Sequence, residues 1–319
     1  ALNGGFGTEP KFPNAPILRF LNHLQRTSGE VFYASILTKT LDSMASGPVV
    51  DNIEGGFFRH CAQANWNKPQ HEKMLEDNLA LAREFLDSGI MLDRSDYQET
   101  AKQTFKYLIE QMYDSNTPGF RGSQGAHSDY YAMDASARKE YTRPMPDLFC
   151  YANSNGLAVT VLLDAAWKLG EPSFQEIALT ILEKLDSMEI SGSFSHVFSN
   201  NGPSDAPPLF TDYAWLLTAL LQAHGNTPNE TYLGRATAVA QQMVERFFDQ
   251  KGGGFFDIEE QSEATGHLQI REKILSDNTV AAQALIRLHQ STRNPDYLQI
   301  AEALSLIHIS EPTRPERIG

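Results

Sequence analysis

Apolar residues recur at three- and four-residue spacing in paired runs along this chain, and each pair reads as two successive helices. The clearest pairs cover residues 72–90 with 95–113 and 153–169 with 173–188. An earlier pair covers 14–26 with 31–44, and two later pairs end near residue 303. The first member of a pair is apolar on nearly every side and rich in small residues, as in Asn78-Leu-Ala-Leu-Ala and Gly156-Leu-Ala-Val. The second is amphipathic, as in Ala101-Lys-Gln-Thr-Phe-Lys-Tyr-Leu-Ile-Glu. A helix apolar all round is buried, while an amphipathic one turns one side to water, so the pattern predicts inner and outer helices in alternation. Ser95, Ser173, Asn229 and Asp296 stand where N-terminal caps are expected.

The pairs are copies of one unit. A Gly-Phe or Ser-Phe turn recurs at Phe6, Phe57, Phe120, Phe194 and Phe255, at intervals of 51, 63, 74 and 61 residues. Each turn after the first is preceded by an aromatic that opens an amphipathic run, at Tyr33, Tyr97, Phe174 and Tyr232. These lie 24, 23, 20 and 23 residues before the turn's Phe. Helical pairs at this period, joined by recurring turns, predict an all-α fold of the α/α toroid class. Five pairs are visible, so a ring of six is incomplete. Residues 1–303 are read as the toroid fragment. The register fails after Ala303, where residues 304–314 match the conceptual translation of a sequencing adapter. Residues 304–319 are therefore read as a non-native tail, and the start without an initiator Met reads as a cut from a longer chain.

Composition narrows the chemistry. With 26 Lys+Arg against 40 Asp+Glu the formal net charge is −14, which predicts no nucleic-acid partner because nothing gathers to neutralise phosphates. No apolar run reaches the roughly 18 residues of a membrane span. Cys61 and Cys150 are too few for a disulfide framework or a thiolate metal site, and a cytoplasmic setting follows as the expectation. The histidines lack metal spacing, and the glycine runs are turns rather than phosphate loops, so no metal and no cofactor are expected.

The segment Glu54-Gly-Gly-Phe-Phe-Arg-His60, with Asn65-Trp-Asn-Lys-Pro-Gln-His-Glu-Lys-Met-Leu-Glu-Asp-Asn78, resembles the thioredoxin-domain-containing family typified by spermatogenesis-associated protein 20. Gly5-Phe-Gly-Thr-Glu-Pro-Lys-Phe-Pro13, Asn155-Gly-Leu, Asp212-Tyr-Ala, Gly253-Gly-Phe-Phe-Asp257 and Asp277-Asn-Thr-Val-Ala-Ala282 extend the resemblance from about Gly4 to Ala303. It implies a six-hairpin toroid akin to glycosidases and sugar epimerases, preceded in the full-length protein by a thioredoxin-like domain. Departures fall at Gln70, His71 and His60, and at Gly125 and His127, where the family carries Asp-Ala-Asp. If those aspartates act chemically, this protein binds without turnover.

Polar residues collect at the starts of the inner helices. Glu72 opens its helix inside the most family-specific block and is the first candidate base. Asp212 and Asp277 are the second carboxylates of an acid–base pair. Arg59, Trp66, His71, Asn78, Asn155 and Tyr213 are candidate contacts for a small, sugar-like ligand, with Trp66 and Tyr213 offering flat faces. Helix starts favour negative charge, so these carboxyls are expected to titrate low. Two functions follow, a sugar-active enzyme or a non-catalytic binding module beside its thioredoxin-like domain.

Overall fold

The computed structural model describes residues 3–190, 193–260 and 270–310. Five helical hairpins are present among them: α1 (Ala15–Ser28) with α2 (Val31–Ala45), α3 (Leu75–Met91) with α4 (Ser95–Tyr107), α7 (Ala152–Leu169) with α8 (Pro172–Ser187), α9 (Phe210–Asn226) with α10 (Thr231–Phe247), and α11 (Leu275–Thr292) with α12 (Pro295–Ser310). Two short helices, α5 (Ser128–Tyr131) and α6 (Ala135–Glu140), lie in the excursion between α4 and α7. The chain divides into an N-terminal unit, Ala1–Ser154 with Lys168–Gly170, and a C-terminal unit formed by Asn155–Trp167 and Glu171–Gly319. Of the read tail, helix α12 takes in residues up to Ser310, and 311–319 lie outside the described residues.

Burial follows the inner and outer contrast. Helix α9 buries residues on all sides, from Phe210 and Tyr213 to Leu216, Leu217, Leu220 and Leu221, whereas α10 buries the single stripe Ala236, Val239, Ala240, Met243 and Phe247. Small residues let inner helices approach: a Cβ on Gly156 would stand 2.8 Å from the Cβ of Trp215. The alanines four residues after Tyr97, Phe174, Tyr232 and Tyr297, namely Ala101, Ala178, Ala236 and Ala301, are all buried.

Helix starts deviate from the expectation in an informative way. Ser95 begins α4 without a side-chain cap, and α8 begins one residue earlier than Ser173, at Pro172. Glu72 does not open a helix. Lys73–Met74 is an extended pair bonded antiparallel to Ser123–Gln124, and α3 begins only at Leu75, whose N–H donates to Gly122 O. The competing β-pairing takes the backbone groups that a longer helix would have used.

The Gly-Phe turns are held by a device present in both units. Asn78 accepts the Phe57 N–H at 2.6 Å and donates to Phe57 O at 3.0 Å and Met74 O at 2.8 Å. Asn278 repeats it on Phe255 N–H (2.8 Å), Phe255 O (3.0 Å) and Ile274 O (2.9 Å). The turn needs glycine at Gly56, where φ is +82° and a Cβ would meet the Tyr107 ring at 2.6 Å. Asn78→Ala is expected to cost about 2–3 kcal/mol, because it strands a buried N–H and a buried carbonyl. Denaturant unfolding reads this directly, and an unchanged midpoint would contradict the clamp.

Candidate functional site

The same repeat places a Lys–Asp ion pair at the turns of Phe57 and Phe255, buried at the first and partly open at the second. Asp51 Oδ1 accepts the N–H groups of Ile53 and Glu54, and its Oδ2 lies 2.8 Å from Lys73 Nζ. Asp249 does the same with Lys251 and Gly252, and lies 2.9 Å from Lys273 Nζ. The N-terminal copy is the elaborated one. Lys73 is wholly buried, donates also to Gly55 O at 2.8 Å, and sits 4.3 Å from the ring centre of Tyr107 and 5.1 Å from that of Tyr131. Arg138, carried in by α6, bonds both oxygens of Asp51 at 2.9 and 2.8 Å. Tyr130 donates to Glu54 at 2.7 Å, and Arg143 reaches Glu54 at 3.0 Å. The excursion between α4 and α7 is thus pinned to the turn of Phe57 by its own cations. Burial pushes the Lys73 amine down to about 8, against the pull of Asp51. Burial pushes Asp51 up, but Lys73 and Arg138 outweigh it and hold the carboxyl below its ordinary range.

Beside this framework, the start of α3 gathers ionisable groups that are partly open to water. Arg59 and Glu72 are tied twice, by a 2.7 Å ion pair and by the Arg59 N–H donating to Glu72 O at 2.8 Å. Their side chains stay 48% and 31% exposed, so the pair is open to water. His71 stacks on Tyr131 with centroids 5.3 Å apart and meets Phe58 edge-on at 4.8 Å. Burial lowers its pKa, with Asp51 opposing and Arg138 and Lys73 reinforcing, which favours the neutral imidazole. Asp77, in the first turn of α3, behaves opposite to the expectation for a helix start. Burial raises its carboxyl to about 6, the neighbouring Glu76 and Glu72 add to this, and Arg59 only partly offsets it. Like charges and desolvation outweigh the helix dipole here. Glu76 itself accepts from Asn153 at 3.0 Å and from Ser154.

The structure therefore brings together Arg59 and Glu72 and adds Asp77, while the His71 ring faces Phe58 and Tyr131 on the side of Asp51, Lys73 and Arg138. Trp66 and Asn78 lie elsewhere in function: Trp66 is buried, donates from Nε1 to Asn3 O at 3.1 Å and carries Lys11 over its ring, while Asn78 spends its amide on the clamp. In the C-terminal unit Asn155 and Tyr213 are buried, Tyr213 edge-on to Phe194. Asp212 is buried and accepts from the Leu209 N–H, and Asp277 lies in the first turn of α11, half-buried. His127, at a departure from the family pattern, caps α5 by accepting the Tyr130 N–H. Cys61 and Cys150 are buried with thiols pushed up to about 11 and about 12, which leaves them uncharged. No described helix is long and apolar enough to cross a membrane.

From the sequence Asp77 reads only as one of the polar residues at a helix start and Lys73 as an exposed first-turn partner of Glu72, and Arg138 is not marked at all. The signal for the first two was present: Glu72-Lys-Met-Leu-Glu-Asp-Asn78 recurs as Glu272-Lys-Ile-Leu-Ser-Asp-Asn278. A lysine kept in both copies, with an Asp six residues before each turn Phe, marks an internal pair. Nothing in the sequence marks Arg138, which bonds a residue 87 positions away.

Comparison with known structures places the fold. The chain superposes on cellobiose 2-epimerase from Spirochaeta thermophila with a TM-score of 0.78 at 15% identity, covering 99% of this chain and 80% of that one. A family GH76 α-mannanase of Bacteroides thetaiotaomicron matches with a TM-score of 0.65 at 11% identity, over 93% of this chain and 74% of the other. The fold is that of the α/α toroids. By sequence the chain is a homologue of human spermatogenesis-associated protein 20, with 28% identity over 159 residues, or 45% of this chain. The match spans about a fifth of that relative's length (20%). No family model matches the chain.

Proposed function

We propose that the start of α3 binds a carbohydrate-like small molecule and performs acid–base chemistry on it. The carrying observation is Asp77, a carboxyl held near 6 beside the ionised Arg59–Glu72 pair. A carboxyl of that pKa carries a proton part of the time near neutrality and can donate it, while Glu72 accepts one. Arg59 aligns Glu72 and offers donors to ligand hydroxyls. That solved proteins of this fold are named as a sugar epimerase and a mannanase supports a sugar as the ligand class. In the full-length protein a thioredoxin-like domain would precede this region, in the cytoplasm. Asp212 and Asp277 retain their proposed roles as carboxylates of the C-terminal unit.

The test is a sugar panel including cellobiose and mannose, read by calorimetry. Glu72→Gln and Asp77→Asn are each expected to weaken binding of the best sugar at least tenfold, about 1.4 kcal/mol. Unchanged binding in both variants would remove the site.

A second reading, a docking module for the thioredoxin-like domain, draws on a different observation. A cleft of about 310 Å³ lined by Tyr113, Arg121, Met145 and Leu148 opens in the N-terminal unit, and Met145 and Leu148 are 71% and 68% exposed. Apolar side chains this open mark contact surfaces when they cluster. Failure of every sugar to bind, together with binding of the thioredoxin-like domain supplied separately and lost in Met145→Asp, would favour this reading.

A further inference from the structure

The excursion between α4 and α7 leaves the N-terminal unit and returns to it at one neck. Gly125 N–H donates to Met145 O at 3.2 Å, Gln124 Nε2 donates to Pro144 O at 3.0 Å, and Asp147 N–H donates to Ser123 O at 2.8 Å. Beyond that neck, residues 126–143 carry only three buried side chains, Tyr130, Tyr131 and Arg138. Helices α5 and α6 are too short to stand without tertiary support. They are tied to each other: Arg138 donates to Tyr131 O at 3.0 Å, and its guanidinium lies 5.1 and 5.3 Å from the Tyr130 and Tyr131 ring centres. Their ties to the rest of the unit converge on a small floor. Asp51 and Glu54 take Arg138, Tyr130 and Arg143, Gln124 accepts from the Tyr131 hydroxyl at 3.2 Å, and Phe58 and His71 meet the Tyr131 ring.

We infer that residues 126–143 are a lid, opening as one body about the neck over His71, Phe58 and the Asp51–Lys73 pair while the rest of the N-terminal unit stays folded. This goes beyond the proposed sugar chemistry and does not depend on it. A segment with so few buried apolar contacts sits at the low end of local stability. Its charged hold is close to break-even. Arg138 regains its hydration on leaving, and Asp51 keeps Lys73 at 2.8 Å and the N–H groups of Ile53 and Glu54. The latch is also imperfect, because Arg138 Nε is buried without a hydrogen-bond partner among the described residues. Nor does the floor need the cover: in the C-terminal copy Asp249 and Lys273 keep the same contact with side chains 22% and 13% exposed. Opening frees the Tyr131 face of His71 and the Arg138 side of Asp51, so the lid sets when a ligand reaches that floor. The alternative is a rigid cap that opens only when the whole unit unfolds.

Native-state proteolysis and hydrogen exchange on the full chain separate the two. Trypsin cuts after Arg138 only once its guanidinium has left Asp51, so cutting there reports opening. The lid predicts cleavage at Arg138 in the wild type while the α3 amides stay protected, at a rate that low urea does not change. The Tyr131, Ala132 and Arg138 amides, bonded to the carbonyls of His127, Ser128 and Asp134, should exchange together and about 100-fold faster than those of α3. Glu54→Gln weakens the hold on Tyr130, Arg138 and Arg143, and it should raise cleavage and exchange about tenfold with α3 unchanged. Tyr130→Phe removes one hydroxyl bond and should raise both by a smaller factor. Cleavage and exchange that appear only with exposure of α3, α6 opening while α5 stays protected, or rates unmoved in both variants would each overturn the lid. Should Glu54→Gln unfold the unit, wild type and Tyr130→Phe still decide between lid and cap. None of these readouts requires a sugar, so failure of the sugar proposal leaves the lid standing.

Discussion

Asp51→Ala is expected to destabilise the N-terminal unit by about 3–5 kcal/mol, enough to unfold it or to lower its thermal midpoint by many degrees. Two cations, Lys73 and Arg138, lose their shared counter-charge while both stay buried. The matched substitution Asp249→Ala removes the same turn bonds and the same lysine contact, yet it is expected to cost only about 1–2 kcal/mol. There the side chains are 22% and 13% exposed, and water takes over their solvation. The contrast separates burial from hydrogen bonding within one molecule. It also has a pH signature. The folded pKa of Asp51 lies below its unfolded value, so its stabilisation is complete above about pH 4 and is lost as pH falls through the folded pKa. The gap between wild type and Asp51→Ala should therefore close in acid. Replacing Asp51, Lys73 and Arg138 together by apolar residues of similar volume should recover most of the loss, since a buried ion cluster owes its fragility to unpaired charge.

Asp77→Asn should act in the opposite direction. The Asp77 carboxyl is raised to about 6 by burial and by Glu76 and Glu72, so ionising it in the folded state costs free energy. A raised acid contributes stability below its unfolded pKa, near 3.9, and that contribution is lost as pH rises through the folded value. The Asn variant carries no such penalty. It should match the wild type near pH 4, gain on it between pH 4 and 6, and be more stable by on the order of 2 kcal/mol at pH 7. A loss of sugar binding in the same variant would make Asp77 a group kept at the expense of stability, as functional residues often are. Thermal melts across pH 4–8 measure it, and a destabilised variant at pH 7 would show that Asp77 is an ordinary first-turn helix residue.

The fold was legible because it rests on long-range repetition of simple patterns. An apolar-all-round helix such as α9 and a single-stripe helix such as α10 differ in sequence as they differ in burial, and the turn at Phe57 returns at Phe255 with its clamp. The site was legible only in part. Arg59 and Glu72 are tied by an ion pair and a backbone bond, whereas the His71 ring packs on Phe58 and Tyr131 instead. Lys73 reads as a surface lysine because its neighbours are charged, yet Tyr107 of α4, Phe58 and, from the excursion, Tyr131 close over it. Asp77 reads as a dipole-stabilised carboxylate because sequence shows its place at a helix start but not the density of negative charge around it. Trp66 shows the reverse error: an aromatic near polar residues suggests a platform, whereas its ring is closed off by Lys11 and Asn3.

The most direct test of the central claim, that the start of α3 is an acid–base site for a sugar, is a carboxyl 13C NMR titration of Asp77, alone and with saturating cellobiose. The account predicts a midpoint near 6 in the free protein that moves on addition of the sugar. A midpoint near the ordinary 3.9, unmoved by cellobiose or mannose, would contradict it.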